Sequence, residues 1–276
     1  MIDWDLEFKP GSSDTIYAAS NRRLFRSIDG GNSFFERYDI PTSRRISIAV
    51  TPANPNLVML LSGGSLTSDD VLNGVYRSIN GGATFASIYT GADGDLFHNY
   101  IGSDNLLGAV SYNNTIAISP TNENIVLTGG LCIWKSTNGG FNWSQVTAYG
   151  SGENYVHPDQ HLLAYNMDGN IYCANDGGMY KSSNHGTTWT YIENGLSATQ
   201  FYHFEIENDE GDTWGGAQDN GILERDDANG GFFNYLAGDG YDVMTDHPWQ
   251  VSDGESDDIY YTINDLIATD AYENIS

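Results

Sequence analysis

The stretch Ser182-Ser183-Asn184-His185-Gly186-Thr187-Thr188-Trp189 decides the fold, because it recurs. Its other copies are Ser27-Ile28-Asp29-Gly30-Gly31-Asn32-Ser33-Phe34, Ser78-Ile79-Asn80-Gly81-Gly82-Ala83-Thr84-Phe85 and Ser136-Thr137-Asn138-Gly139-Gly140-Phe141-Asn142-Trp143. The shared pattern is S-x-(D/N)-x-G-x-(S/T/N)-(F/W), with Ala83 and Phe141 at the variable sixth place. Each copy follows an apolar-aromatic run ending in a base: Leu24-Phe25-Arg26, Val75-Tyr76-Arg77, Ile133-Trp134-Lys135 and Met179-Tyr180-Lys181. Another β-prone run follows each, so the reading is strand, turn, strand. The Asp or Asn side chain can accept backbone N–H groups a few residues on and stiffen the turn. The fifth-place Gly allows a positive φ without a Cβ clash. The closing aromatic can pack between neighbouring sheets.

Upstream of each copy lies a second recurring unit, a strand, a Pro/Asn-rich turn and another strand. These units cover 5–18, 46–59, 115–127 and 161–172. Each repeat is therefore four strands, A to D, with the repeated turn between C and D. The third-place residues 29, 80, 138 and 184 lie 51, 58 and 46 positions apart. Propeller blades recur at roughly 40–50 residues. The expected architecture is all-β, a β-propeller of four-stranded antiparallel blades. The blades run over about 3–40, 45–90, 113–148, 156–193 and 199–237, with a partial sixth over 238–276. The fifth turn has decayed to Asp226-Asp227-Ala228-Asn229-Gly230-Gly231-Phe232. About five and a half blades are visible, which suggests part of a larger propeller of seven or more blades. A six-bladed ring would instead need Leu266–Ser276 as an outer strand.

Composition agrees. Thirty-two glycines, 18 tyrosines, 11 phenylalanines and six tryptophans suit short strands joined by tight turns. Thirty-seven acids against 11 bases give a net charge of −26. That balance argues against nucleic acid and against anionic membrane surfaces. No run approaches the ~20 apolar residues of a membrane span, and Met1-Ile2-Asp3-Trp4 does not read as a signal peptide. Cys132 and Cys173 lack ligand-like spacing and read as buried free thiols rather than an inter-blade disulfide. Asn113-Asn114-Thr115 and Asn142-Trp143-Ser144 match the glycosylation acceptor pattern, a short match that arises by chance.

In a propeller the A–B and C–D turns crowd one face and the B–C and D–A loops the other. The second face is free for function. Its B–C loops carry Asn175-Asp176-Gly177-Gly178 and Gln218-Asp219-Asn220-Gly221. Its D–A side adds His157-Pro158-Asp159-Gln160-His161 and Gly238-Asp239-Gly240-Tyr241-Asp242. On an extended chain 157, 159 and 161 share one face. The inserted loop 91–112 falls on the same face and carries Phe97, His98, Tyr100 and Asp104, a sugar-stacking or lid segment. Asp176 and Asp219 are the candidate catalytic carboxyls, since glycoside hydrolysis uses two. His157, Asp159, His161, Gln218, Asp239, Asp242 and Tyr100 are the candidate binding residues. His157, Asp159 and His161 fit either metal ligands or a hydrogen-bonded strand edge. The metal is left undetermined, with calcium one possibility.

The repeated turn resembles the Asp-box, or bacterial-neuraminidase repeat. From His157 to Asp242 the chain also resembles large secreted bacterial Asp-box propellers, sortilin-like or of glycosyl-hydrolase type. The matching segments are His157-Pro158-Asp159-Gln160-His161, Asn175-Asp176-Gly177-Gly178, Asn194-Gly195-Leu196, Thr199-Gln200-Phe201-Tyr202, Gln218-Asp219-Asn220-Gly221 and Gly238-Asp239-Gly240. The architecture is similar to two-propeller xyloglucan-active hydrolases and to the sortilin luminal domain. The resemblance implies a secreted or cell-surface protein with a polysaccharide or peptide ligand. It leaves open whether the chain is an enzyme, and whether hydrolysis would retain or invert. Three readings follow: a glycoside-hydrolase-type propeller that binds or hydrolyses polysaccharide, a non-catalytic sortilin-like protein- or peptide-binding propeller, and a cation-dependent adhesion module. Sialidase is disfavoured. Arg44-Arg45-Ile46-Ser47 lacks the proline of the sialidase motif, and Arg225 is the only arginine after Arg77.

Overall fold

The computed structural model describes residues 5–64, 71–97, 110, 112–148, 154–192, 199–206, 213–225, 232–236, 238–245, 258–263 and 266–271. Among them every regular element is a strand. Sheet 1 holds β1 (Asp5–Phe8), β2 (Ile16–Ala19), β3 (Arg23–Ser27) and β4 (Phe35–Asp39). Sheet 2 holds β5 (Arg45–Val50), β6 (Val58–Gly63), β7 (Leu72–Ser78) and β8 (Ala86–Thr90). Sheet 3 holds β9 (Thr115–Ile118), β10 (Val126–Gly129), β11 (Ile133–Ser136) and β12 (Ser144–Gln145). Sheet 4 holds β13 (Gln160–Tyr165), β14 (Ile171–Asn175), β15 (Gly178–Ser182) and β16 (Thr190–Tyr191). Sheet 5 holds β17 (Phe201–Ile206), β18 (Thr213–Ala217), β19 (Gly221–Arg225) and β20 (Phe232–Leu236). A three-stranded sheet follows, β21 (Gly240–Thr245), β22 (Asp258–Ile263) and β23 (Leu266–Ala271). All pairings within these sheets are antiparallel and sequential, the up-and-down order of propeller blades.

The chain divides into two compact units, Met1–Asn194 and Gly195–Ser276. In the first, β1, β5, β9 and β13 run beside one another as the innermost strands. The apolar core is the set of seams between sheets. Tyr17, Leu24, Ile46, Ile48 and Leu60 fill the seam of sheets 1 and 2. Met59, Leu61, Val75, Ile116, Val126 and Trp134 fill the next. Leu127, Ile133, Leu163, Ile171 and Cys173 fill the third. The β-branched and aliphatic side chains of one sheet thus interdigitate with those of its neighbour. In the second unit β17 and β18 pack on β21.

The repeated turn has one geometry in all four copies. The first-place serine, 1 % exposed or less, donates to the third-place side chain: Ser27 to Asp29 at 2.7 Å, and Ser78, Ser136 and Ser182 to their Asn at 2.9 Å. The same hydroxyl accepts the fifth-place glycine N–H at 2.8–2.9 Å. The third-place oxygen in turn accepts the seventh-place N–H at 2.9–3.0 Å. A buried serine is therefore the hub, which the sequence reading, centred on the Asp or Asn, did not anticipate. The fifth-place glycines have φ of 74–93°, as expected. The fourth place is left-handed too, and His185 holds φ 55° there. Phe85 and Trp189 pack against the seams and Trp143 is buried, whereas Phe34 is exposed. Residues 226–231 of the decayed fifth turn lie outside the described residues. Cys132 and Cys173 are free and buried, as expected, and burial pushes the Cys132 thiol up to about 11.

The turns also sort by face. In the first unit the A–B and C–D turns bond to one another: Gly81 N–H to Asn56 C=O, Gly139 N–H to Asn124 C=O, and Asn54 to Glu123 across sheets 2 and 3. The B–C and D–A segments form a separate network, which carries the candidate site.

Candidate functional site

The site is built on sheet 4 and on the segment that leads into β9. Asn175 and Gly178 pair across the β14–β15 hairpin, so Asp176 and Gly177 are its two-residue turn. Gly177 is required by close approach. A Cβ there would lie 2.5 Å from His157 Cβ and nearer still to its ring. The buried His157 carbonyl accepts from Gln160 Nε2 at 2.6 Å and from Asn175 Nδ2 at 2.9 Å. Gln160, fully buried, also accepts from Cys173 Sγ at 2.7 Å and from Asn175 at 3.2 Å. This satisfied polar network fixes the hairpin against the entry to β13.

On that base the side chains of two sheets meet. His161 Nε2 lies 2.5 Å from Asp176 Oδ1. The Tyr112 hydroxyl donates to both Asp176 oxygens, at 3.2 and 3.1 Å. The Tyr112 and His161 rings stand edge to face, 4.7 Å between centroids at 88°. Tyr112 is 48 % exposed, while the His161 and Asp176 side chains are 34 % and 12 % exposed. Next to them the Asn113 amide donates to Asp159. Arg45 bonds the Tyr112 carbonyl at 3.0 Å and the Asn114 carbonyl at 3.4 Å, pinning the segment to sheet 2.

Electrostatics follow from this packing. The Asp176 hydrogen bond raises the pKa of His161 above 6.5, against the opposing effect of burial. Asp159 is held above the ordinary carboxyl range, by burial first and by the Asp176 charge second; Asn113, His157 and His161 oppose the shift. A histidine with a raised folded pKa contributes stability that is fully present below its unfolded value. That stability is lost as pH rises through the folded value. We therefore expect imidazole NMR to show His161 titrating above 6.5 and to show its pKa fall in Asp176→Asn. An unchanged His161 titration in that variant would contradict the pairing.

The extended run expected over 157–161 is interrupted. Asp159 has φ 62°, β13 starts at Gln160, and a register shift separates Gln160 from Leu162. The three side chains consequently take three partners: His157 packs on Gly177, Asp159 meets Asn113, and His161 meets Asp176. Among the described residues, no three His, Cys, Asp or Glu side chains are grouped to hold a metal ion.

The second unit holds the other candidates. Gln218, Asp219 and Asn220 form the β18–β19 turn, with Asp219 at φ 57°. The Asp219 N–H donates to Asp239 Oδ1 at 3.0 Å, so these two residues do come together. The Gln218 N–H donates to the Gln200 carbonyl at 3.0 Å. Asp242 lies on β21, and its side chain lies outside the described residues, as do His98, Tyr100 and Asp104. Asp176 and Asp219 belong to different units. Sequence reasoning missed Tyr112 and Asn113 as site residues. Their signal was position only, at the end of the insertion next to β9. Asn113 had been noted solely as a glycosylation match, and it is fully buried.

No family model matches the chain, and no curated protein does. Solved structures do. A GH74 enzyme of Niastella koreensis aligns with TM-score 0.51 and 18 % identity over 95 % of this chain and 40 % of that one. An ancestral GH74 enzyme aligns with TM-score 0.50 and 17 % identity over 99 % and 37 %. The GH74 xyloglucanase from Xanthomonas campestris aligns with TM-score 0.50 and 17 % identity over 96 % and 44 %. The chain is similar in fold to these β-propellers and spans about two-fifths of their length. It is an all-β chain of propeller blades.

Proposed function

We propose that the four repeated turns are Asp-boxes and that the chain belongs to a secreted propeller of glycoside-hydrolase type, which binds or hydrolyses polysaccharide. The observation that carries the reading is the Tyr112–His161–Asp176 cluster: a half-exposed aromatic ring beside a carboxylate already supplied with two donors. Aromatic faces next to carboxylates suit sugars, which offer C–H faces and hydroxyl donors to the same site. Asp176 is the central carboxyl, and its hydrogen bond to His161 raises the pKa of that imidazole. Asp219, in the second unit, is the second carboxyl of the sequence reading. Likeness to GH74 propellers, one of them a xyloglucanase, makes xyloglucan the first polymer to try.

The test is reducing-sugar release and binding on xyloglucan, with Asp176→Asn beside the wild-type chain. The reading expects wild-type binding, and release lowered by ~100-fold or more in the variant, the range lost with an acid–base group. A wild-type chain that neither binds nor cleaves xyloglucan or other β-glucans would overturn it in favour of a peptide-binding propeller.

A further inference from the structure

Tyr112 and Asn113 are consecutive residues, and each holds a different carboxyl group. The Tyr112 hydroxyl donates to Asp176, and the Asn113 amide donates to Asp159. One short segment therefore contacts both carboxyls, and the Asp176 charge acts on Asp159, at the end of sheet 4.

Two further features single out this spot. Asn113 is fully buried, and its Oδ1 has no hydrogen-bond partner among the described residues, although its other end points at Asp159. An unmet buried acceptor is costly and calls for an explanation, a catalytic role among them. Asp159 itself is half-buried and has a left-handed backbone at φ 62°. Asp accepts this conformation better than most residues, and here it turns the side chain out of the strand pattern towards Asn113.

We propose that Asp159, rather than Asp219, is the carboxyl that works with Asp176, so that a two-carboxyl carbohydrate site is complete within the rim of sheets 3 and 4. The proposal rests on the reading of the chain as a glycoside-hydrolase-type propeller. It assigns each group a task. Asp159, partly buried and facing Asp176, His157, His161 and the neutral Cys132 thiol, keeps its proton to a higher pH than a free carboxyl. Asp176, paired with His161 and accepting from the Tyr112 hydroxyl, is the partner placed to act as base. Two carboxyls in unlike environments, one half-buried against Asn113 and one bonded to Tyr112 and His161, can divide acid and base work between them. In hydrolysis Asp159 gives its proton to the glycosidic oxygen as that oxygen's bond to the anomeric carbon breaks. One water supplies the oxygen of the new bond, and the proton it sheds goes to the Asp176 carboxylate. Atoms and charge balance, with one water consumed. Asn113 holds Asp159 in place through its amide.

Asp159→Asn separates this from the alternative, because Asn tolerates a left-handed backbone and leaves the turn intact. The probe is xyloglucan, with release measured across pH. Asp159→Asn should lose ~100-fold or more in rate, lose the high-pH limb of the profile, and keep its unfolding midpoint. Asn113→Ala should show the same loss to a smaller degree, and Asp219→Asn should stay within a few-fold of wild type. An active Asp159→Asn chain beside an inactive Asp219→Asn chain would overturn the proposal and leave the functional reading standing. A wild-type chain inert on xyloglucan and other β-glucans would overturn both.

Discussion

Gly216→Ala disrupts the packing of β18 against β21. A Cβ at this position would lie 2.6 Å from the Tyr241 carbonyl carbon, nearer still to its oxygen, and 2.9 Å from the Gly240 carbonyl carbon. The obstacles are backbone atoms and cannot rotate aside. Gly240 shows the converse, with a Cβ meeting the Gly221 carbonyl and the Ala217 nitrogen. Sheet 5 and the following sheet therefore pack main chain on main chain, and one methyl must push strands apart. Overpacking usually costs about 1–3 kcal/mol, and a backbone obstacle places this case at or above the top of that range. The unfolding midpoint of the Gly195–Ser276 unit should fall accordingly. Fluorescence of the buried Trp214 on β18 is a local reporter. A loss below about 0.5 kcal/mol would contradict the packing.

Gly177→Ala should strike both stability and the site. Its Cβ would overlap the His157 ring, so His157 must move. The His157 carbonyl anchors Gln160 and Asn175, and those residues hold the entry to β13 and the start of the Asp176 hairpin. We expect about 2–3 kcal/mol of destabilisation, together with a fall in the His161 pKa as the His161–Asp176 pairing loosens. Removing the obstruction should restore part of both effects, so His157→Gly, which takes away both the ring and the Cβ, should move the His161 titration back towards wild type in the same chain. Equal His161 titrations in wild type and Gly177→Ala would show that the hairpin does not depend on this contact.

The fold was legible because its signals are local. A serine, an Asp or Asn and a glycine at fixed spacing encode one turn, and four copies between strands encode a repeat. The serine hub escaped notice because a short hydroxyl residue in a turn reads as ordinary, and its burial depends on the neighbouring seam. The carboxyl-bearing hairpin at Asp176 and the run from His157 to His161 were legible as a region. Their partners were not. Tyr112 is 64 residues from Asp176 and Asn113 is 46 from Asp159, and nothing in the composition of either stretch declares the contact. The break in the extended run at Asp159 was equally hidden. Asp tolerates a left-handed backbone better than most residues, yet a pattern of alternate polar residues reads as strand.

The central claim is that the rim formed by Tyr112, Asn113, Asp159, His161 and Asp176 takes a carbohydrate. The most direct measurement is an NMR titration of the full chain with xyloglucan oligosaccharides, following backbone amides and the histidine rings. The account predicts saturable shifts centred on residues 112–113, 159–161 and 176–177, greatly weakened in Asp159→Asn, with little change at the Ser27, Ser78, Ser136 and Ser182 turns. Saturable shifts confined to those turns, or none at any oligosaccharide concentration, would contradict it.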